Sequence, residues 1–126
     1  MNILVVDDDP IVLASCRRVL EPEGYAVFSA ASVAEAVLVL KERECQLLLL
    51  DVKMPEYDGF HLLRHVRERW PRLPVVVMSG FPTSETVSAS AEGGAISFIP
   101  KPFTPDELLQ TVRRAVRPFP AEEREQ

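Results

Sequence analysis

Short apolar runs punctuate the chain at similar intervals: ILVV at 3–6, YAVFS at 25–29, LLLL at 47–50, VVVM at 75–78 and ISFI at 96–99. Runs of this length, rich in branched residues and bounded by turn signals, read as strands buried on both faces. Between them the apolar positions change to helical spacing. Val12 or Leu13, Cys16, Val19 and Leu20 make one stripe. Val33, Ala36, Val37 and Leu40 make a second, and Phe60, Leu63, Val66 and Trp70 a third. Leu108, Leu109, Val112 and Val116 make the last. The stretch TSETVSASAEGG is weakly helical at best, because Ser and Thr compete for backbone hydrogen bonds, and a short, mobile fourth helix is expected there.

Local signals fix where the helices begin and end. Asp9 stands as a helix cap before Pro10, and Ser32 with Glu35 has capping-box spacing. Thr104, Pro105 and Glu107 form a third start of the same kind. Gly24, Pro71 and Gly93-Gly94 are stops. Strands alternating with helices predict a parallel sheet covered on both faces. Right-handed crossovers bring every strand's carboxyl end to one edge, where ligands sit in open sheets.

That edge gathers chemistry. The first strand runs into Asp7 and Asp8, the third into Asp51, the fourth into Ser79 and the fifth into Lys101. Three carboxylates and one ammonium leave a charge of about −2 in a confined place. An oxygen-rich acidic group without Cys or His suits a hard divalent cation such as Mg²⁺. A carboxylate beside that metal can act as a nucleophile toward phosphorus, with Ser79 and Lys101 donating to the phosphoryl oxygens.

Composition narrows the classes without adding to the chemistry. With 126 residues, 47% hydrophobic and 26% charged, the chain reads as one soluble domain. No apolar run approaches the ~20 residues of a membrane span, and the start lacks the features of a signal peptide, so a cytoplasmic protein is expected. The net charge of −5 offers no footprint for nucleic acid. Cys16 and Cys45, isolated from each other, read as buried reduced thiols. His61 and His65 are one helical turn apart, but no third ligand accompanies them, and an exposed helix face is expected.

The motifs VVDDDP, LLLLDVKMPEYDG, VVVMSG and FIPKPF occur in this order over about residues 2–117. Together they resemble the receiver domain of two-component response regulators. The resemblance implies a flavodoxin-like fold, a doubly wound five-stranded parallel sheet of order 2-1-3-4-5 with five helices. It implies a domain over 1–117, with 118–126 as a tail or linker stump. It makes Asp51 the phospho-acceptor, with Mg²⁺ held by Asp7, Asp8, Asp51 and the backbone carbonyl of Lys53. Ser79 would turn toward the phosphoryl group, Lys101 would pair with it, and Phe98 would be the aromatic switch. The Lys101-Pro102 bond would be cis. The donor would be a sensor histidine kinase or a histidine phosphotransfer protein. The output would pass through the face made by the fourth helix, fifth strand and fifth helix, to an output domain or partner. Such a domain catalyses only its own phosphorylation and dephosphorylation, and is not an enzyme otherwise.

Some positions depart from the family's pattern. Phe98 lacks a phenolic hydroxyl, so its rotation would rest on packing alone. Lys53 and Phe81, two residues beyond Asp51 and Ser79, do not orient water, and Phe81 would shield an acyl phosphate; slow self-dephosphorylation is expected. Val52 replaces a tryptophan found in some chemotaxis receivers, and Trp70 should report Mg²⁺ poorly. Other readings are an aspartyl-phosphate phosphatase of haloacid dehalogenase type and a docking receiver that takes no phosphate. The first would want an acid where Lys53 stands, and also a cap domain. The intact set of site residues opposes the second. A nucleotide-binding module is weaker still, since neither GxGxxG nor a P-loop is present.

Overall fold

The computed structural model describes residues 1–53 and 59–116. The strands are β1 (Asn2–Val6), β2 (Ala26–Ala30), β3 (Leu47–Asp51), β4 (Val75–Ser79) and β5 (Ser97–Pro100). The helices are α1 (Pro10–Leu20), α2 (Val33–Glu42), α3 (Gly59–Arg69), α4 (Ser84–Glu92) and α5 (Pro105–Val116), and a short 3-10 turn (Glu21–Glu23) follows α1. The strands form one parallel sheet in the order β2-β1-β3-β4-β5. The five-stranded flavodoxin-like fold implied by the sequence is the fold observed.

Side chains on a strand alternate between its two faces, and here the alternation sorts the core into two layers. Leu4, Val6, Leu48, Leu50, Val75 and Val77 pack with Ala36 and Leu40 of α2 and Leu62, Leu63 and Val66 of α3. Ile3, Val5, Leu47, Leu49, Val76 and Met78 pack with Cys16 and Leu20 of α1 and Leu108 and Val112 of α5. All four leucines of β3 are fully buried. Each contributes about 1.5–3 kcal/mol by leaving water, which makes β3 the centre of both layers.

The expected caps form. Asp9 Oδ1 accepts from Ile11 N at 2.9 Å, and Ser32 Oγ accepts from Glu35 N at 3.2 Å. Thr104 Oγ1 accepts from Glu107 N at 3.1 Å while Glu107 reaches back to Thr104 N. β2 and β5 each start one residue later than the apolar runs suggest. At β2, Gly24 closes the preceding turn at φ 94°, and the ladder begins at Ala26, whose N–H donates to Met1 O.

α4 is a regular nine-residue helix, more complete than its composition suggested. Thr83 Oγ1 caps it by accepting from Thr86 N at 3.1 Å, while the buried Ser90 Oγ finds its partner within the helix, donating to Thr86 O at 2.8 Å. Cys16 is buried and free, and burial pushes its thiol up to about 12. Cys45 is only half-buried, a correction to its expected burial, because the turn before β3 opens onto a pocket lined by Leu40, Trp70 and Leu73. Residues 54–58, which carry Pro55 and Asp58 of the acceptor loop, and the tail at 118–126 lie outside the described residues.

Candidate functional site

At the carboxyl edge three strand tips share one local device. Asp7 Oδ1 accepts from Asp9 N at 2.9 Å, Asp51 Oδ1 from Lys53 N at 2.9 Å, and Ser79 Oγ from Phe81 N at 3.0 Å. Each is a short polar side chain bonding the amide two residues on, which turns the chain out of its strand. The sequence reading placed these side chains by what they offer a ligand and missed that each also anchors its own loop. An Asp or Ser at a strand's end, followed by turn residues, is the signal for it.

The carboxylates' other oxygens converge on Lys101. Its Nζ lies 2.5 Å from Asp7 Oδ2 and 3.2 Å from Asp51 Oδ2. Strand alternation explains how one lysine at the end of β5 reaches Asp51 across β4 and Asp7 across β4 and β3. Asp7 and Asp51 continue the side of Val5 and Leu49, and Lys101 that of Ile99, so all three face the α1/α5 layer. Ser79 continues the side of Val77, facing the α2/α3 layer, as does Phe98. Lys101 N donates to Ser79 O at 2.8 Å, which ties the tips of β4 and β5 together. The Lys101-Pro102 bond is cis, as the resemblance implied.

Burial sets the electrostatics. Asp7, Asp51 and Ser79 are buried, while Asp8 and Lys53 are exposed. Desolvation pushes the Asp7 carboxyl above the usual range, although the hydrogen bond from Lys101 and that from Asp9 N pull the other way. Lys101 is held above its ordinary value by Asp7 and Asp51, against the opposing effect of its own burial. Ligand oxygens of Asp7, Asp8 and Asp51 lie within 4.8 Å of one another. Three carboxylates, with no thiol or imidazole among them, are the donor chemistry of a hard cation.

A family model described as "Response regulator receiver domain" matches residues 3–113. The chain belongs to that family. Among solved structures, the receiver resembles a CheY-like response regulator receiver domain protein from Methanospirillum hungatei JF-1. That comparison has a TM-score of 0.87 and 31% identity, covering 98% of this chain and 95% of that one. The receiver domain of NtrX from Brucella abortus gives 0.86 at 34% identity, covering 90% and 97%. Among curated relatives, the hydrogenase transcriptional regulatory protein HoxA of Cupriavidus necator is 39% identical over 91% of this chain, which spans 24% of that protein. The response regulator MprA of Mycobacterium avium is 38% identical over 93% of this chain, which spans 51% of it. The receiver therefore corresponds to one part of these longer regulators. An uncharacterized 14.6 kDa protein of Leptolyngbya boryana is matched over 93% of its length at 38% identity.

The remaining predicted positions are placed as follows. Phe98 is half-buried against the α2/α3 core. Phe81 stands 61% exposed in the loop before α4. His61 is exposed, and the half-buried His65 lies edge-on to Trp70 at 6.0 Å between ring centroids, with no third ligand beside them among the described residues. Among the described residues no helix is long and apolar enough to cross a membrane.

Proposed function

We propose that the receiver is a phosphorylation-driven switch in which Asp51 takes a phosphoryl group from the phosphohistidine of a sensor histidine kinase or a histidine phosphotransfer protein. The observation that carries this is the meeting of Asp7, Asp8 and Asp51 within 4.8 Å with Lys101 bonded to two of them. Asp7, Asp8, Asp51 and the carbonyl of Lys53 would hold Mg²⁺. When bound, that ion supplies positive charge beside the reacting oxygens. Asp51 Oδ2 attacks phosphorus, the P–N bond to the donor imidazole breaks, and an acyl phosphate forms. The leaving imidazole nitrogen takes up a proton. Lys101 stays with the new dianion, and Ser79 Oγ turns to donate to a phosphoryl oxygen.

The group adds about −1.5 to −2 charge at one strand tip. The face made by α4, β5 and α5 carries the message to an output domain or partner. Receiver domains of response regulators are signalling domains rather than turnover enzymes, and Asp51 here serves one phosphoryl at a time. The switch takes in residues 1–117 and does not itself bind nucleic acid; 118–126 is its tail or linker.

The test is intact mass after incubation with a small acyl-phosphate donor and Mg²⁺. One added phosphoryl is expected, lost in EDTA and in Asp51→Asn. Steady phosphate release at enzymatic rates would instead favour a phosphatase, and a folded wild type that adds nothing would leave a docking module.

A further inference from the structure

Positive charge gathers on one helix of an acidic chain. Residues 59–72 carry Arg64, Arg67, Arg69 and Arg72 against the single acid Glu68. That stretch is therefore at +3, which leaves −8 on the rest of a chain whose total is −5. Arg67 turns inward and donates to the carbonyls of Pro71 and Leu73. Arg64, Arg69 and Arg72 are exposed, and among the described residues none of them forms an ion pair. The end of α3 is an unmatched basic face.

Beside that face lies a recess of about 320 Å³. Its apolar wall is Leu40, Cys45, Trp70 and Leu73, and residues 41–44 (Lys-Glu-Arg-Glu) form a rim with two charges of each sign. The volume is at the small end for a ligand cleft, room for one or two apolar side chains rather than a cofactor. Trp70 is half-buried, with the Arg69 guanidinium over its ring. Tryptophan and arginine around a small pocket are the side chains that anchor protein interfaces. α2 and α3 both end here, at the amino edge of the sheet, opposite the acids.

Nucleic acid, an anionic membrane and an acidic protein would each answer the positive charge. The −8 carried by the rest of the chain repels an extended polyanion, which reaches well beyond one helix. An apolar recess also has no use for a run of phosphates, whereas a protein segment presents carboxylates and an apolar side chain together. We propose that the end of α3 and the recess beside it dock an acidic segment of a partner protein. An apolar side chain of the segment sits between Leu40, Cys45, Trp70 and Leu73, and its carboxylates meet Arg64, Arg69 and Arg72. The docking does not rest on phosphorylation of Asp51. The 11 residues of α3, about 16 Å of helix, separate the two places, so a docked segment leaves the acceptor open.

Synthetic peptides added to the full chain test it. The readouts are amide chemical shifts of the isotope-labelled protein and the emission of Trp70, the chain's one tryptophan. The probe is acetyl-Glu-Glu-Leu-Phe-Glu-Glu-amide; one control peptide has glutamine for every glutamate, the other alanine for leucine and phenylalanine. The probe should shift amides at 40–45 and 69–73 and change Trp70 emission, equally in wild type and Asp51→Asn. Arg64→Gln combined with Arg72→Gln should weaken it about five-fold, the size of two exposed ion pairs. Salt at about 1 M, where screening acts within about 3 Å, should weaken it at least as much. Both arginines are exposed, so the variant keeps the core. An alanine control that binds as tightly as the probe would overturn the role of the recess, and a glutamine control that does so would overturn the role of charge. A probe that moves no amide would sink the proposal. If phosphatidylserine vesicles or a heparin fragment move the same amides and the probe does not, the face belongs to a polyanion instead. If the chain alone sediments as a dimer that the arginine variant breaks, it belongs to a second copy.

Discussion

Asp7 divides its oxygens between a loop amide and Lys101 while fully buried, and burial prevails: its carboxyl titrates above its ordinary range. A raised folded-state pKa means that ionised Asp7 opposes folding. The cost is full above the folded pKa, falls as the pH drops through it, and is gone below the unfolded value near 3.8. Asp7→Asn should therefore melt above wild type in metal-free buffer near neutrality, and should lose most of the stabilisation that Mg²⁺ is expected to give wild type. Thermal scans with and without Mg²⁺ check both; a variant melting below wild type would refute the first. A second expectation concerns time. Lys53 is exposed with its amide on Asp51, and Phe81 is an exposed apolar ring, so neither aligns a water at Asp51. The phosphoryl group should persist far beyond seconds on the purified chain, followed by mass; a half-life of seconds would contradict this.

At the scale of elements, most of the plan was legible because each signal is local. β3 is four leucines, and the caps at Asp9, Ser32 and Thr104 are written in the four residues around each. α4 forms a full nine residues where its composition read as weakly helical, because Thr83 caps its start and the buried Ser90 hydroxyl is satisfied inside the helix. The half-exposure of Cys45 depends on how the end of α3 meets the turn before β3, which no local pattern records. One junction fixes the α3 start beside the site. Gly59 N donates to Val52 O at 3.1 Å, and a Cβ on Gly59 would lie 2.3 Å from Val52 Cα. That neighbour is backbone and cannot swing away. Gly59→Ala should thus push α3 off the end of β3 and cost about 2–3 kcal/mol, read as a lower urea midpoint. An unchanged midpoint would show that the junction yields freely.

Across the whole molecule, the acids stand at one edge of the sheet and Trp70 at the other. α3 separates them by its 11 residues, about 16 Å of helix. Trp70 sits past the end of α3 beside Cys45, Leu40 and Leu73, with the Arg69 guanidinium over its ring at 5.8 Å. Its fluorescence should stay flat during an Mg²⁺ titration that raises the melting temperature. A strong quench would mean that the two edges are coupled through α3. The site was legible as a set of residues, since strand order and crossover handedness gather the strand tips. Its internal division was not, because that depends on which face each tip side chain takes.

Strand alternation has one more consequence, for how this chain can vary. Asp7, Asp51 and Lys101 meet because their strands end in step, on the same side of the pleat. Inserting or deleting one residue within β1, β3 or β5 would turn that strand's tip to the opposite layer and break the cluster, though every residue type were kept. Two residues would restore the side. Sequence drift or grafting of this site onto another sheet is thus constrained by counting in twos, a rule carried by chain length rather than by the identity of any side chain.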